Sequence, residues 1–182
     1  MAELVDSFLA FAATELAVAN IRLRVALPED RTLLAAIYAT TRADELAPLL
    51  WNEEQKKAFT DWQSGLQEEH YALHYPKAEF LIIERWGQTD SFRTPVGRIY
   101  LERTTSEVRL MEITLLPEFR NLGAGTRVMD ALLRYADAVE RRVTLHVEPF
   151  NPARRMYARM GFATEEVRGL YEFMARPVRP AS

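Results

Sequence analysis

Two glycines stand where an apolar segment of the sequence meets a predicted helix. The segment reads E-I-T-L-L-P-E-F-R-N-L-G-A-G over residues 112–125, so an apolar strand stops at Pro117 and a turn with glycines at 123 and 125 leads into a helix. Glycine lets a backbone come close to a ligand, and the first turn of a helix offers unpaired N–H groups and the positive end of its dipole. Arg120 adds a fixed positive charge beside this turn. The pattern fits a phosphate-binding loop, and it also fits a plain connection between a strand and a helix.

Two common nucleotide-binding signatures can be compared with this turn, and neither is present. A Walker loop requires Lys followed by Ser or Thr after its last glycine, whereas Thr126 and Arg127 follow Gly125 here. A dinucleotide-binding fold requires three spaced glycines and an acidic residue after the next strand. Because these requirements are not met, both folds are excluded.

The turn and a later segment together resemble one protein family. R-N-L-G-A-G at residues 120–125 resembles the Arg/Gln-x-x-Gly-x-Gly/Ala signature of the GNAT superfamily, the acyl-CoA-dependent N-acyltransferases. The segments L-H-V-E, N-P-A-R-R-M-Y and M-G-F, which follow one another within residues 145–162, are similar to that superfamily's second conserved block. The resemblance covers residues 96–174 well. Residues 1–19 lie outside it, and the region between is only loosely comparable.

The resemblance implies that acetyl-CoA is the co-substrate. Backbone amides of residues 120–126 would hold the pyrophosphate of coenzyme A, and Asn151 corresponds to the family Asn that contacts the cofactor. In such proteins the strand before the turn splays from its neighbour, which frees the backbone groups of Leu115 and Leu116 for pantetheine and for the acetyl oxygen. The implied cofactor contacts are Leu115, Leu116, Arg120, Asn121, Leu122, Gly123, Ala124, Gly125, Thr126, Asn151, Ala153 and Arg154.

Tyr157 matches the family tyrosine whose phenol faces the thioester sulfur. The resemblance implies that its O–H protonates the departing thiolate, a role that suits a phenol because it can donate as negative charge develops on sulfur. Without the flanking motif at residues 151–154, the residue would be interpreted as a tyrosine packed on a short helix. With that motif, Tyr157 is predicted to be the general acid.

A general base is also needed, because an amine is protonated in water and must lose a proton before it attacks. Three carboxylates stand on predicted strands: Glu112 on the central strand, Glu148 at the end of the next, and Glu102 at the end of the preceding one. Glu112 is predicted as the catalytic carboxylate, although it does not align cleanly with the family's strand glutamates and some members use water chains. Glutamates of this kind also commonly face solvent on a strand. The base stays open among these three carboxylates and water.

The elements that must position these residues follow from the periodicity of the sequence. The predicted strands are 21–25, 80–83, 96–102, 108–116, 143–147, 162–168 and 170–174. The predicted helices are 1–19, 28–42, 52–74, 122–141 and 152–160. After the first helix, the order β-αα-βββ-α-β-α-ββ agrees with the GNAT fold. The resemblance therefore implies an α+β (α/β) fold with a mixed, mostly antiparallel central sheet and helices on both faces.

The chain of 182 residues, 48% of them apolar, shows no division into several domains. No linker-like tract or internal repeat interrupts it before the short tail at residues 176–182. We expect a single acetyltransferase domain over residues 20–176. Residues 1–19 are predicted to form an extra amphipathic helix that packs on the body of the domain or on a second subunit, and the latter favours a homodimer.

The composition limits the cellular setting and the partners. The chain has no cysteine, which excludes disulfides, Cys-ligated zinc, iron–sulfur clusters and cysteine nucleophiles and fits a reducing cytoplasm. The N-terminus lacks a basic start and is interrupted by Asp6 and Glu15, and no apolar run reaches the length of a membrane span. Basic residues are scattered singly. We expect a cytoplasmic protein without nucleic-acid or membrane partners.

Charge is unevenly distributed along the chain. Residues 1–92 carry 8 Lys and Arg against 15 Asp and Glu, whereas residues 93–182 carry 15 Arg against 11 Asp and Glu. The basic half fits an anionic cofactor, and the acidic half favours a cationic amine acceptor. A chance imbalance on a solvated surface explains the same numbers.

The second predicted helical region holds further candidate residues. His70 and His74 have the spacing of half a metal site, but no third ligand is evident, so we expect two surface histidines and no metal. Four aromatic residues fall where the family usually builds its acceptor pocket, although such residues often belong to a core: Trp51, Trp62, Tyr71 and Tyr75.

The leading prediction is an N-acetyltransferase that moves an acetyl group from acetyl-CoA to a primary amine of a small molecule or peptide, by direct attack in a ternary complex. The alternative is a CoA-binding module that senses or interacts without turnover. The presence of Tyr157 favours the enzyme. A third hypothesis is an interaction protein built around the N-terminal helix.

Overall fold

The computed structural model describes residues 7–86 and 93–180, which form one seven-stranded sheet with helices on both faces. The strands are β1 (Ile21–Val25), β2 (Glu79–Trp86), β3 (Arg93–Arg103), β4 (Glu107–Leu115), β5 (Arg142–Val147), β6 (Ala163–Arg168) and β7 (Tyr171–Arg176). The helices are α1 (Phe8–Ala17), α2 (Arg31–Leu46), α3 (Glu53–His74), α4 (Ala124–Ala138) and α5 (Ala153–Arg159). None of these helices, all within the described ranges, is long and apolar enough to cross a membrane.

The sheet has the strand order β1-β2-β3-β4-β5-β7-β6. Among the strands that the structure describes, only β4 and β5 run parallel, and all other neighbours are antiparallel. Two parallel neighbours need a crossover, which α4 supplies. The predicted mixed, mostly antiparallel α+β fold is confirmed. The connection between β2 and β3 includes residues 87–92, which lie outside the described residues.

Hydrophobic clusters on the two sides of the sheet assign the helices to their faces. The larger cluster packs α1, α4 and α5 on one side, and a smaller one around Leu34, Ile82 and Tyr100 lies beneath α2 and α3. Side chains alternate along a strand, so β5 contributes to both sides. Its members of the larger cluster are Val143, Leu145 and Val147. Thr144 and His146 therefore face the second side, called here the α2/α3 side.

α1 is part of the larger cluster. Phe8, Ala12 and Leu16 are at most 2% exposed, and the Phe8 ring lies 5.7 Å from the Tyr135 ring of α4. The Glu79 carboxylate of β2 accepts a hydrogen bond from the Phe8 N–H at 3.4 Å and so stabilises the start of the helix. α1 thus packs on the body of the domain. The first residues of the predicted helix, 1–6, lie outside the described residues.

α4 is shorter than the predicted helix over 122–141. Gly123, with a φ of +84°, stands just before its first residue, because a left-handed backbone cannot continue a right-handed helix. Glu140, with a φ of +54°, follows its last turn for the same reason. The helix bounds therefore depend on the backbone conformation at these two residues. The spacing of apolar residues in the sequence does not indicate that conformation.

Candidate active site

β4 and β5 pair over only the first part of β4. Their parallel ladder ends at Leu110 and Leu145, and residues 111–115 extend beyond it with no β5 partner in the described chain. The register with β3 shifts at the same point, where Met111 is the extra residue of a β-bulge. A bulge increases the local twist of a strand, which turns β4 away from β5. The two strands thus open a gap, which is the separation that the resemblance implied.

The backbone groups that line this gap follow from the register of β3 and β4. The Leu116 N–H donates to the Val96 carbonyl at 2.9 Å, and alternate residues of an antiparallel strand bond to the same neighbour. The N–H groups of Ile113 and Leu115 therefore point toward β5. The prediction that the Leu116 backbone is free is wrong, because its carbonyl also accepts from the Phe119 N–H at 2.9 Å. Sequence reasoning missed Ile113, which the alternation along the strand could have identified.

The predicted glycine turn lies at the start of α4, close to the end of β4. Gly123 adopts its φ of +84° without strain, and the Arg127 N–H donates to the Gly123 carbonyl at 3.1 Å. This is the first hydrogen bond of the helix, so the N–H groups of residues 124–126 have no partner inside it. A Cβ on Gly123 would meet no atom within 4 Å, and one on Gly125 would meet only the Leu115 side chain, at 3.5 Å. The space beside the turn is open, which fits a phosphate group.

Arg120 has protein partners beside this turn. Its Nε donates to the Leu115 carbonyl at 2.8 Å, and its Nη2 donates to Thr40 Oγ1 of α2 at 3.1 Å. The side chain therefore joins the end of β4 to α2. Its positive charge stays near the turn, while direct contacts to an anion fall mainly to the backbone amides.

α5 places Tyr157 beside the start of α4. The Thr126 hydroxyl lies 3.9 Å from Met156 Sδ, so the first turn of α4 is next to α5. Tyr157 is 6% exposed, its ring lies 5.7 Å from the Phe162 ring, and burial raises the pKa of its phenol to about 12. The phenol of Tyr157 is protonated at neutral pH and can donate a proton.

The other predicted cofactor contacts near α5 also have partners within the protein. Asn151 Oδ1 accepts from the Ala153 N–H at 2.9 Å, which fixes the start of α5. Arg154 Nε donates to Glu172 Oε2 of β7 at 2.9 Å and ties α5 to the sheet. The assignment of these three residues, Asn151, Ala153 and Arg154, to the cofactor stays a prediction.

The three predicted carboxylates occupy different positions. Glu112 faces the α2/α3 side and accepts two hydrogen bonds from the fully buried Arg98, at 2.8 and 3.0 Å. Glu102 pairs in register with Arg109, roughly 20 Å along β4 from the end of that strand. Glu148 follows β5 directly and so lies at the edge of the sheet where β4 ends, with no ion pair among the described side chains. Only Glu148 is both near the gap and unpaired.

His146 also stands at the gap, and sequence reasoning missed it. It follows Leu145, the last residue of β5 that pairs with β4, and its ring lies 5.1 Å from the Phe173 ring. Burial, with the charges of Arg109 and Arg168, holds the pKa of its imidazole below its usual range. A neutral imidazole at this position can accept a proton. His146 is part of the motif L-H-V-E, but the sequence alone does not show on which face of the sheet its side chain lies. That face depends on how the neighbouring strands are arranged.

Residues 40–162 match the Acetyltransferase (GNAT) family. The chain belongs to this family. Similar solved structures include the PaiA N-acetyltransferase of Thermoplasma acidophilum in complex with coenzyme A, at 20% identity and a TM-score of 0.60, over 86% of this chain and 98% of that one. An acetyltransferase of Thermus thermophilus has 17% identity and a TM-score of 0.62, over 87% and 97%. The spermidine N-acetyltransferase of Vibrio cholerae, in complex with CoA and spermine, has 16% identity and a TM-score of 0.59, over 87% and 96%. At these identities the likeness shows a shared fold.

The aromatic residues predicted near the acceptor pocket of this GNAT domain divide into two groups. Tyr71 and Tyr75 lie at the end of α3, with the Tyr71 ring 5.8 Å from the Tyr100 ring of β3. Trp51 and Trp62 are largely exposed beside the first half of α3. The first pair therefore lines the α2/α3 side of the sheet, and the second pair does not.

His70 and His74 stack on each other at the exposed end of α3. Their ring centroids are 4.2 Å apart, and His74 Nδ1 lies 2.9 Å from the His70 carbonyl oxygen. Within residues 7–86 and 93–180, no three His, Asp or Glu side chains are grouped so that they could hold a metal ion. The two histidines thus interact with each other and with the helix backbone.

Proposed function

We propose that this GNAT protein is an N-acetyltransferase that moves the acetyl group of acetyl-CoA to a primary amine of a small molecule or peptide, by direct attack in a ternary complex. One observation carries the proposal: β4 separates from β5 beside the glycine turn, so that a gap connects the two sides of the sheet. The α4 side can hold an anionic cofactor, and an amine can approach from the α2/α3 side. Acetyl-CoA, when bound, supplies an activated thioester.

The residues of this chain have separate roles in the proposed transfer. The N–H groups of residues 124–126 hold the pyrophosphate, and those of Ile113 and Leu115 stabilise the acetyl oxygen as it gains negative charge. The base accepts the proton that the amine loses as the carbon–nitrogen bond forms. Tyr157 donates its proton to the sulfur as the carbon–sulfur bond breaks.

We assign the base to His146. It stands directly after the last residue of β5 that pairs with β4, on the side from which the amine approaches, and its pKa lies below its usual range. Both carboxylate oxygens of Glu112, predicted from sequence as the catalytic carboxylate, are held by Arg98, so they are already engaged within the protein. Glu148 and a water molecule are the remaining alternatives.

The cationic acceptor suggested by the acidic excess in residues 1–92 has little support on the α2/α3 side. Asp30 and Glu84 of that region both bind Arg24 of β1, at the far edge of the sheet from the gap. These two carboxylates of the acidic excess therefore lie away from the proposed acceptor site. The cationic character of the acceptor therefore stays a prediction. We propose only that the acceptor is a primary amine.

A thiol-release assay over a panel of amines, with calorimetry for CoA, tests the proposal. We expect CoA binding and thiol release that at least one amine stimulates, with the acetylated amine detected by mass. A CoA-binding module without turnover predicts binding and no stimulated release from any amine. An interaction protein built on α1 has less support, because Phe8, Ala12 and Leu16 of α1 are buried in the core.

A further inference from the structure

Arg109 of β4 carries a positive charge on the α2/α3 side and forms no ion pair with any acidic side chain that the structure describes. Its guanidinium stacks on the Tyr75 ring, 5.6 Å from the ring centroid. In the described part of the chain, no carboxylate oxygen lies within 4.0 Å of this guanidinium, including that of its register partner Glu102. A partly buried guanidinium of this kind favours an oxyanion, which can accept two parallel hydrogen bonds from it.

The neighbouring arginines on this side are already paired. Arg142 binds Glu107 and Glu165, and Arg168 binds Glu166. Arg98 lies deeper, where Glu112 neutralises it. Among these four arginines, Arg109 alone is available to an external anion.

Arg109 also stands close to the proposed base. It pairs across the parallel ladder with Thr144, and His146 lies two residues further along the same side of β5. A strand spacing of about 4.8 Å and a rise of about 3.3 Å per residue put the Cα atoms of Arg109 and His146 about 8 Å apart. The Arg109 guanidinium stacks on Tyr75, which lies on the α2/α3 side beside Tyr71, so the guanidinium faces this side of the sheet.

We propose that Arg109 binds an anionic group of the acceptor, so that the preferred acceptor carries a carboxylate or a phosphate several ångströms from its primary amine. The amine lies at His146 and the anionic group against Arg109, while stacking on Tyr75 keeps the guanidinium in place. The inference rests on the proposed function and names its substrate class. This class is opposite in charge to the acceptor that residues 1–92 suggested.

Matched acceptors test this proposal by kinetics. Each set has one chain length and contains an unbranched alkylamine, the corresponding ω-amino acid and the corresponding aminoalkyl phosphate. For one of the two anionic acceptors, we expect kcat/KM to be at least tenfold higher than for the alkylamine, mainly through a lower KM. The acceptor with the higher kcat/KM shows whether the site prefers a carboxylate or a phosphate. Arg109→Gln should remove the preference, and Arg109→Lys should keep part of it. Arg134→Gln, which removes the same charge from α4 on the opposite side of the sheet, should keep it fully.

A binding measurement separates this inference from the proposed function. The chain has three histidines, so the ring signals of His146 can be followed by NMR during a pH titration. An alkanoate or alkyl phosphate of matched chain length, which carries no amine, should raise the pKa of His146 when it binds at Arg109, because it neutralises a nearby positive charge. This shift should disappear in Arg109→Gln.

The outcomes are distinct. Equal kcat/KM values for all acceptors of a set, or a preference that survives in Arg109→Gln, would overturn the anion site while leaving the acetyltransferase intact. If no amine reacts although CoA binds, the proposed function fails, and the NMR titration alone decides the anion site. In that case, an unchanged His146 titration in the presence of the alkanoate and the alkyl phosphate would reject the site.

Discussion

The buried Arg98 guanidinium binds the Glu112 carboxylate through two hydrogen bonds, of 2.8 and 3.0 Å. The same guanidinium donates to Gln67 Oε1 of α3 at 3.0 Å, and the Thr114 hydroxyl donates to Glu112 at 2.8 Å. This group joins β3, β4 and α3 next to the bulge at Met111 that opens the gap. Its first role is therefore to position β4.

Glu112→Gln tests this role against that of a general base. The substitution leaves a buried guanidinium without a counter-charge, so the free energy of unfolding should fall by about 3 kcal/mol in urea denaturation. Thr114→Val, which removes one hydrogen bond to the same carboxylate, should lower it by only about 1 kcal/mol. A Glu112→Gln protein of unchanged stability but greatly reduced turnover would instead assign Glu112 to catalysis.

Gly125→Val tests the glycine turn as the pyrophosphate site. A branched side chain at the first turn of α4 fills the space in which the backbone would approach the ligand, so CoA affinity measured by calorimetry should fall at least about tenfold. Ala138→Val places the same side chain in the last turn of α4 and should leave the affinity unchanged. Wild-type affinity in a folded Gly125→Val protein would remove the assignment.

The sequence predicted those parts of the fold that depend on local pattern. I-R-L-R-V at 21–25 alternates strictly, and β1 has the predicted bounds. The Met111 bulge was not predictable, because it depends on how β3 and β4 align, which no local pattern records. The same holds for Arg98 and Glu112, which become partners only through pairing of their strands.

The site was predictable to a similar extent. Glycine spacing indicated the turn, since the φ of +84° at Gly123 favours that residue type. The face on which His146 lies, and the tether of Arg120 to Leu115 and Thr40, depend on strand order and on packing between distant segments. Sequence reasoning therefore placed the glycine turn before α4 and Tyr157 on α5, while their roles stay predictions, and it missed the groups set by tertiary contacts.

Phe8→Ala tests whether α1 is an integral part of the fold. Phe8 is fully buried against Tyr135, so its truncation should lower the free energy of unfolding by about 3–5 kcal/mol. Val18→Ala, at an exposed residue that follows α1, should change it by less than about 0.5 kcal/mol. If Phe8→Ala were as stable as the parent protein but lost a partner, α1 would be an interaction helix instead.

His146→Gln tests the assignment of the general base. Burial and the charges of Arg109 and Arg168 lower the pKa of the imidazole, against the opposing charges of Glu107 and Glu166. His146 is neutral, and so able to accept a proton, at any pH above its lowered pKa. The fall of kcat/KM on the acidic side of the pH profile should therefore lie below about pH 6.5.

In His146→Gln this limb should disappear, and kcat/KM at neutral pH should fall by about 100-fold. Glu148→Gln is the matched comparison. If Glu148→Gln removes the limb and His146→Gln does not, the carboxylate is the base.

Tyr157→Phe tests the general acid, because it deletes one hydroxyl and keeps the ring that packs on Phe162. Turnover at saturating acceptor should fall roughly 10- to 1000-fold while CoA affinity changes little, and the smaller end is favoured because a thiolate leaves fairly well without a proton. Since burial raises the pKa of Tyr157 to about 12, the wild-type rate should not fall through ionisation of this phenol up to pH 9.

Tyr135→Phe is the matched control, because Tyr135 is another buried tyrosine, whose hydroxyl accepts from Arg103 at 2.8 Å. This substitution should affect stability and leave turnover unchanged. Tyr157→Phe rates within about twofold of the parent from pH 6 to 9 would show that Tyr157 only packs and that the thiolate departs unprotonated.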